Sequence, residues 1–135
     1  MAALVDTGPL VALIDADEDD HELCRTTLAG LTSPLLTTWP VVTEALFLLH
    51  SAAGWRGQRL LWDLIQGRDV EIVEISPLVD RVVELMRKYS DQPMSLADAT
   101  LVAVAEARGV KTIFSLDSDF AVYRYRGREP FRVVP

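Results

Sequence analysis

Short apolar runs alternate with longer stretches of helical periodicity along this chain, and the alternation restricts the folds open to it. The runs that predict strands are residues 2–6, 35–38, 70–74, 111–115 and 131–134. Helical patterns cover residues 8–14, 21–31, 40–54, 55–66, 76–89 and 95–109. Strands and helices in this order are typical of an α/β fold whose sheet is largely parallel.

The size and charge of the chain narrow the classes of protein to consider. Its 135 residues suit one domain, residues 1–135, with a continuous hydrophobic core. A net charge of −7 argues against broad, non-specific attraction to nucleic acid, but not against a nuclease whose metal ion supplies positive charge. The single Cys24 excludes an internal disulfide and disfavours a cysteine zinc site.

The apolar amino terminus is the one segment that resembles a targeting signal. Asp6 interrupts it, no basic residue precedes it, and acidic residues rather than a cleavage site follow. No stretch of the chain approaches the roughly 18 uninterrupted apolar residues of a membrane span. We therefore expect the first strand and helix of a cytoplasmic protein.

Four acidic residues occupy positions that an α/β fold would bring together. Asp6 ends the first predicted strand and Asp117 follows the fourth, and the carboxyl ends of strands are where open α/β sheets bind ligands. Glu44 and Asp98 lie near the starts of two predicted helices. Two carboxylates about 4 Å apart repel by about 4 kcal/mol at an effective dielectric of about 20, so such a cluster needs protons or a cation. Ligands that are all oxygen favour Mg²⁺ or Mn²⁺ over zinc.

Three of these acids also have structural explanations. Asp6 could cap a turn or helix, and the segment from Ser95 to Asp98 is similar to a capping box. Asp117 could be an ordinary turn acid, and Asp119 could equally be the residue that faces the metal. The residues by themselves leave these roles open.

Glu44 has the weakest structural explanation of the four. It lies three residues after Val41 and four before Leu48, which predicts a carboxylate within the apolar stripe of its helix. Its interaction with the helix dipole is worth only about 0.3–1 kcal/mol and would not offset burial. The position therefore favours a functional role.

Five short segments, in their order and spacing, carry a resemblance that runs nearly end to end. They are Leu4-Val5-Asp6-Thr7, Asp20-His21, Val42-Thr43-Glu44, Ser95-Leu96-Ala97-Asp98-Ala99 and Ser115-Leu116-Asp117-Ser118-Asp119-Phe120. With these segments the chain resembles the PIN-domain ribonucleases, and most of all the VapC-type toxins of bacterial toxin–antitoxin pairs. The resemblance implies a three-layer α/β/α sandwich with a central, mostly parallel sheet.

The resemblance also implies a metal-dependent endoribonuclease. Its catalytic carboxylates match Asp6, Glu44, Asp98 and Asp117, which would hold one or two Mg²⁺ ions, with Asp119 as a further candidate ligand. Water would be the nucleophile and the product would carry a 5′-phosphate. Thr7 and Ser115 match small hydroxyl positions beside the first and last acids, although the family often has Thr where this chain has Ser115. His21 and His50 are poorly placed for catalysis, and this route needs no histidine base.

The segment 123–128 alternates tyrosine with arginine and is the best local attractor for RNA. Arg124, Arg126 and Arg128 could pair with phosphates while the tyrosines stack on unpaired bases. An exposed edge segment with solvating charges explains the pattern equally well.

Partners are implied by the resemblance alone. VapC-like proteins usually form homodimers and bind a small antitoxin protein in a groove over the active site. Leu60, Leu61, Trp62 and Leu64 could line such a groove or belong to the core. The alternative function is a PIN-like module that binds RNA or protein and has negligible or masked nuclease activity.

Overall fold

A parallel five-stranded sheet forms the centre of the computed structural model, which describes residues 1–92 and 94–135. Seven strands occur along the chain: β1 Leu4–Val5, β2 Leu35–Thr37, β3 Val70–Ile72, β4 Thr112–Phe114, β5 Arg124–Tyr125, β6 Glu129–Pro130 and β7 Arg132–Val134. The sheet has the order β3-β2-β1-β4-β7, and every pairing in it is parallel. These five strands confirm the prediction from the sequence.

Helices cover the sheet and complete a three-layer α/β/α sandwich, which confirms the predicted fold class. They are α1 Thr7–Ile14, α2 His21–Ala29, α3 Trp39–Gln66, α4 Val79–Lys88 and α5 Leu96–Arg108. Short 3₁₀ turns occupy Ser76–Leu78 and Ser118–Ala121. Among the described helices, none is both long and apolar enough to cross a membrane.

The helix α5 lies in the middle of the core. Every residue from Ala97 to Ala105 is buried, and the helix ends at Gly109, whose φ of 66° is the left-handed conformation that favours glycine. Ser95 caps its first turn by accepting the backbone N–H of Asp98 at 3.1 Å. The predicted loop before it, residues 90–94, is described except at Pro93, which lies outside the described residues.

The long helix α3 is two helices joined at a break, as the sequence predicted at this point. Gly54 has φ 61° and ψ −151°, a conformation that only glycine adopts readily. The second half folds back along the first: the Gln58 amide donates to the Leu46 carbonyl at 3.1 Å, and the rings of Trp39 and Trp62 lie 6.4 Å apart.

The carboxyl-terminal segment differs from the sequence-based expectation. The turn at Ser118–Ala121 and the antiparallel hairpin β5–β6 were not predicted. The proposed stacking of Tyr123 and Tyr125 on RNA bases is wrong, because both side chains are buried. Tyr123 packs against Tyr89 with ring centroids 5.0 Å apart, and Tyr125 packs against Phe131 at 6.1 Å.

The register of the sheet brings two acidic segments together. Leu4 on β1 pairs with Ile113 on β4, and Val5 pairs with Phe114. The backbone N–H of Asp6 then donates to the Phe114 carbonyl at 2.9 Å. Because adjacent parallel strands end at the same edge, Asp6 and the residues after Phe114 meet at one point.

Candidate active site

Asp6 and Ser115 lie side by side at the carboxyl ends of the two central strands. The Ser115 hydroxyl donates to Oδ2 of Asp6 at 2.9 Å, and Oδ1 of Asp6 accepts the backbone N–H of Thr7 at 2.8 Å. Asp6 therefore caps α1 and faces β4 at once, and its side chain is 7% exposed. The helix-cap explanation holds for one oxygen only.

Asp117 and Asp119 follow directly and shape the next turn. The Ser115 hydroxyl accepts the backbone N–H of Asp117 at 3.0 Å, so the same hydroxyl contacts Asp6 and fixes Asp117. Oδ1 of Asp117 accepts the N–H of Asp119 at 2.9 Å and caps the 3₁₀ turn. Both acids are exposed and face the same cleft.

Asp98 reaches this cleft from the first turn of α5. Ser95, not Asp98, provides the cap, and the carboxylate of Asp98 accepts a hydrogen bond from the hydroxyl of Tyr123, with 2.8 Å between that hydroxyl and Oδ2. Asp98 is 8% exposed. The capping-box pattern thus accounts for the backbone of this turn and not for its carboxylate.

Glu44 lies at the cleft but is not buried as expected. The buried face of α3 follows Val41, Ala45 and Leu49 at four-residue spacing, while Leu48 is 45% exposed. Glu44 is next to this face, and its Oε2 accepts the Thr7 hydroxyl at 3.0 Å. The burial argument for Glu44 was therefore wrong, although the residue contacts the predicted Thr7.

The cleft at this edge of the sheet has a volume of about 600 Å³, and half of its lining residues are acidic. Its lining residues are Asp6, Thr7, Gly8, Glu44, Ser95, Asp98, Leu116, Asp117, Ser118 and Asp119. All five predicted acids are present, and none of the described lining residues is basic. No salt bridge among the described residues involves any of the five.

Burial and mutual repulsion make the ionised form of these acids costly. The pKa of Asp98 is raised to about 6, mainly by burial and further by the charges of Asp6, Asp117 and Asp119, while the hydrogen bond from Tyr123 opposes the rise. Burial likewise raises the pKa of Asp6, against the hydrogen bonds from Thr7 and Ser115. Desolvation, followed by the charge of Asp117, raises the pKa of Asp119. A cation in the cleft would relieve all three.

The donor atoms fit a hard divalent cation bound partly through water. Carboxylate and hydroxyl oxygens surround the cleft, which is the ligand type that Mg²⁺ and Mn²⁺ prefer. In the part of the chain that the structure describes, no three carboxylate, histidine or cysteine side chains are arranged closely enough to enclose an ion by themselves. Mg²⁺ usually keeps several waters and takes only one or two carboxylates, so this spacing suits it.

The three predicted RNA-binding arginines lie outside the cleft. The guanidinium of Arg124 donates to the carbonyls of Ala121 at 2.9 Å and Tyr123 at 3.2 Å. Arg126 stacks over the Tyr125 ring at 5.0 Å and donates to the Glu106 carbonyl at 3.3 Å. Arg128 is exposed at the turn of the hairpin.

Neither histidine contributes to the cleft. A ring nitrogen of His21 lies 2.6 Å from the Ala12 carbonyl, and His50 is exposed on α3. This agrees with the expectation that neither residue acts in catalysis.

The residue that the sequence analysis missed is Tyr123, which contacts Asp98 directly. Its alternation with arginines suggested a surface segment. The spacing of Phe120 and Tyr123, three residues apart, was the available signal, since both rings are buried and pack at 5.3 Å.

A second, apolar groove lies between α1, α2 and the second half of α3. It has a volume of about 440 Å³, and its apolar lining is Leu13, Ile14, Leu28, Leu60 and Leu64. Leu60 and Leu64, two of the four predicted groove residues, line it, but this groove shares no lining residue with the acidic cleft that the predicted groove would cover. Leu61 is fully buried in the core instead, and Trp62 packs against Trp39.

Comparisons with known proteins find a PIN-domain family model and a VapC-type relative that match this chain. A family model for the PIN domain matches residues 3–124. The chain is 27% identical over 134 residues to ribonuclease VapC26 of Mycobacterium tuberculosis, and the alignment covers 98% of this chain and 99% of that protein.

Two solved structures have the same fold. One is VapC20 of Mycobacterium tuberculosis, described as a toxin that cleaves the sarcin–ricin loop, with a TM-score of 0.82 and 22% identity over 90% of this chain and 94% of that one. The other is a toxin–antitoxin complex from Klebsiella pneumoniae, with a TM-score of 0.68 and 20% identity over 89% of this chain and 91% of that one.

Proposed function

The chain belongs to the PIN-domain family, and from this premise we propose that it is a metal-dependent endoribonuclease. The observation that carries the proposal is the acidic cleft, in which four separate segments of the chain present five carboxylates and the described lining includes no basic side chain. We further propose that residues 1–135 act as a single domain in the cytoplasm, as the toxin of a toxin–antitoxin pair.

The proposed catalytic residues are Asp6, Glu44, Asp98 and Asp117, and these four with Asp119 would hold Mg²⁺ or Mn²⁺, partly through bound water. A divalent ion bound there would supply Lewis acidity, which activates water and stabilises the negative charge that develops on a phosphodiester. The raised pKa of Asp98 and the burial of Asp6 support this assignment, because each carboxylate gains from a nearby positive charge.

The hydroxyls of Ser115 and Thr7 would hold the carboxylates in place. Ser115 engages one oxygen of Asp6 and the backbone of Asp117, and Thr7 engages Glu44. A carboxylate oxygen can accept more than one hydrogen bond or ligand, so these contacts leave acceptor capacity for a cation. Attack of water on phosphorus would break the bond to the 3′ oxygen and leave a 5′-phosphate and a 3′-hydroxyl.

The arginines of the β5–β6 hairpin would contact RNA on one side of the cut. Arg124 is near the cleft, since it bonds to Ala121 at the end of the turn that Asp117 caps. Arg126 lies on Glu106, eight residues beyond Asp98 on α5 and so about 12 Å away along the helix axis. Arg126 and Arg128 would therefore pair with flanking phosphates rather than with the cleaved one.

The relatives support the antitoxin proposal, and the homodimer proposal rests on the family resemblance alone. A toxin VapC20 and a toxin–antitoxin complex share this fold, and ribonuclease VapC26 is similar in sequence over nearly its full length. The apolar groove lined by Leu13, Leu28, Leu60 and Leu64 is the proposed seat for the antitoxin segment. Such a segment would form an amphipathic helix, because apolar grooves between helices bind apolar side chains at helical spacing.

The deciding experiment is cleavage of a mixed RNA pool with Mg²⁺ or Mn²⁺, against EDTA and an Asp98→Asn variant. We expect cleavage by the wild type alone, with 5′-phosphate ends. Equal cleavage by Asp98→Asn would overturn the assignment of the site. RNA binding without cleavage, under any divalent metal, would support the alternative of a binding module.

A further inference from the structure

We propose that Tyr123 is a positioning residue that hydrogen-bonds one carboxylate oxygen of Asp98 and so orients the other, and that this favours Mg²⁺ over the larger Ca²⁺. The inference rests on the proposed metal-dependent function and extends it to the choice of ion. It concerns a residue outside the quartet of acids, on the segment between the 3₁₀ turn and β5.

Among the residues that the structure describes, the hydroxyl of Tyr123 has one hydrogen-bond partner. It donates to Oδ2 of Asp98 at 2.8 Å in surroundings where Tyr123 is 2% exposed and Asp98 is 8% exposed. Water therefore has little access to replace this bond. Oδ1 of Asp98 accepts no hydrogen bond from the described residues, and Asp98 lines the cleft.

The tyrosine ring has little freedom to move away. Tyr89 meets it edge-on with centroids 5.0 Å apart, and Phe120 meets it at 5.3 Å with the ring planes 88° apart. The Tyr89 hydroxyl also accepts the backbone N–H of Arg124 at 3.0 Å and so fixes the next residue. On the other side, Ser95 holds the backbone of Asp98.

A carboxylate held in this way would bind an ion through one oxygen. Bidentate carboxylates and six to eight ligands are typical of Ca²⁺, whereas Mg²⁺ requires near-ideal octahedral geometry with few carboxylate contacts. The hydrogen bond from the Tyr123 hydroxyl to Oδ2 competes with bidentate binding of a cation by Asp98. It also fixes the direction of Oδ1. Partners that orient metal ligands typically change metal affinity by about 10- to 100-fold.

The test compares Mg²⁺ and Ca²⁺ dissociation constants by calorimetry in wild type, Tyr123→Phe and Tyr125→Phe. The Tyr125→Phe control removes the hydroxyl of another buried tyrosine, whose ring packs on Phe131. We expect Tyr123→Phe to lose about tenfold in Mg²⁺ affinity and less in Ca²⁺ affinity, so that the ratio of the two falls. Tyr125→Phe should keep the wild-type ratio.

An unchanged ratio in Tyr123→Phe would overturn the inference, as would an equal loss for both ions. Cation binding by the wild type that is lost in Asp98→Asn would support the metal site itself. In that case, an unchanged ratio in Tyr123→Phe would refute only the role of Tyr123. If the wild type binds neither ion, both proposals fail.

A second measurement applies if Tyr123→Phe does not fold. Replacing the three tyrosines by 3-fluorotyrosine keeps every hydroxyl and makes each a stronger donor. We expect the preference for Mg²⁺ over Ca²⁺ to rise in that protein, and a fall or no change would contradict the inference.

Discussion

The hydroxyl of Ser115 donates to Oδ2 of Asp6 at 2.9 Å, although the two residues are 109 positions apart in the chain. Through the backbone of Asp117 it also fixes a third position of the cleft. This is a tertiary contact that exists only when β1 and β4 are paired, so folding itself orients the first acid.

Replacing Ser115 by Ala should therefore lower ribonuclease activity by about 10- to 100-fold, the range for residues that orient metal ligands. Ser115→Thr keeps the hydroxyl and should retain most of the activity. Initial rates of cleavage of a defined RNA substrate test this prediction, and thermal unfolding checks that both variants fold. Equal rates for the Ala and Thr variants would show that the hydroxyl has no such role.

Thr7 makes the corresponding contact to Glu44. Thr7→Val removes the hydroxyl at nearly the same volume and should reduce activity about tenfold, at a cost of about 1 kcal/mol in the free energy of unfolding. Thr7→Ser should restore the activity. Single-turnover kinetics and chemical denaturation measure the two effects separately, and a loss of stability without a loss of rate would contradict the prediction.

The two acids of the turn after β4 differ in their expected contributions. Asp117→Asn removes the charge but keeps a side chain that can cap the turn. We expect this variant to weaken Mg²⁺ binding by about tenfold or more. Asp119→Asn should weaken it less, because no hydrogen bond of the described residues orients the Asp119 carboxylate toward the cleft. Calorimetric titration with Mg²⁺ ranks the variants, and a reversed order would make Asp119 the ligand.

The pKa of Asp98 predicts how the stability of the metal-free protein depends on pH. Burial raises this pKa from 3.8 to about 6, so the folded protein holds a proton that the unfolded chain has released. The free energy of unfolding should therefore fall as the pH rises from about 4 to above 6. The contribution of this group is on the order of 3 kcal/mol at most, at about 1.4 kcal/mol per pKa unit.

Denaturation curves at several pH values, with and without Asp98→Asn, test that prediction. The variant cannot ionise at this position, so its stability should depend less on pH across the same range. Saturating Mg²⁺ should raise the stability of the wild type at neutral pH, by about 2.7 kcal/mol at 100 times the dissociation constant. If the free energy of unfolding depends on pH in the same way for the wild type and the variant, the prediction of a raised pKa for Asp98 is wrong.

Neutralising the hairpin arginines should affect RNA binding more than chemistry. Arg126→Gln and Arg128→Gln should each raise KM and leave kcat nearly unchanged. Each should also reduce the slope of log affinity against log salt by about 0.7 for every RNA phosphate that the protein no longer neutralises. Arg25→Gln on α2, outside the cleft, is the matched control. A fall in kcat with constant KM would place these arginines at the cleaved phosphate instead.

The sequence predicted the sheet and the convergence of its acids because both follow from periodicity and from the geometry of parallel strands. The prediction that Asp6 and Asp117 lie close together required only the rule that neighbouring parallel strands end at the same edge of the sheet. Glu44 shows the limit of the approach, because the stripes through Val41–Ala45 and Val41–Glu44–Leu48 differ by one residue and only tertiary packing selects between them.

Tyr123 shows a second limit. The spacing of Phe120 and Tyr123 indicates that Tyr123 is buried, but it does not identify Asp98, 25 residues away on another element, as the partner. The short hairpin β5–β6, with two residues in each strand, is below the length at which alternation predicts a strand. Contacts of this kind depend on the assembled fold.

The burial of α5 has a consequence for how such an enzyme can be controlled. Its amide protons from Thr100 to Ala105 lie in a fully buried part of the helix and should exchange with solvent only when the whole domain opens. Asp98 lies in the first turn of the same helix, where Ser95 holds its backbone and Tyr123 its carboxylate. A reversible inhibitor that covers the cleft would therefore leave the fold that places this acid unchanged.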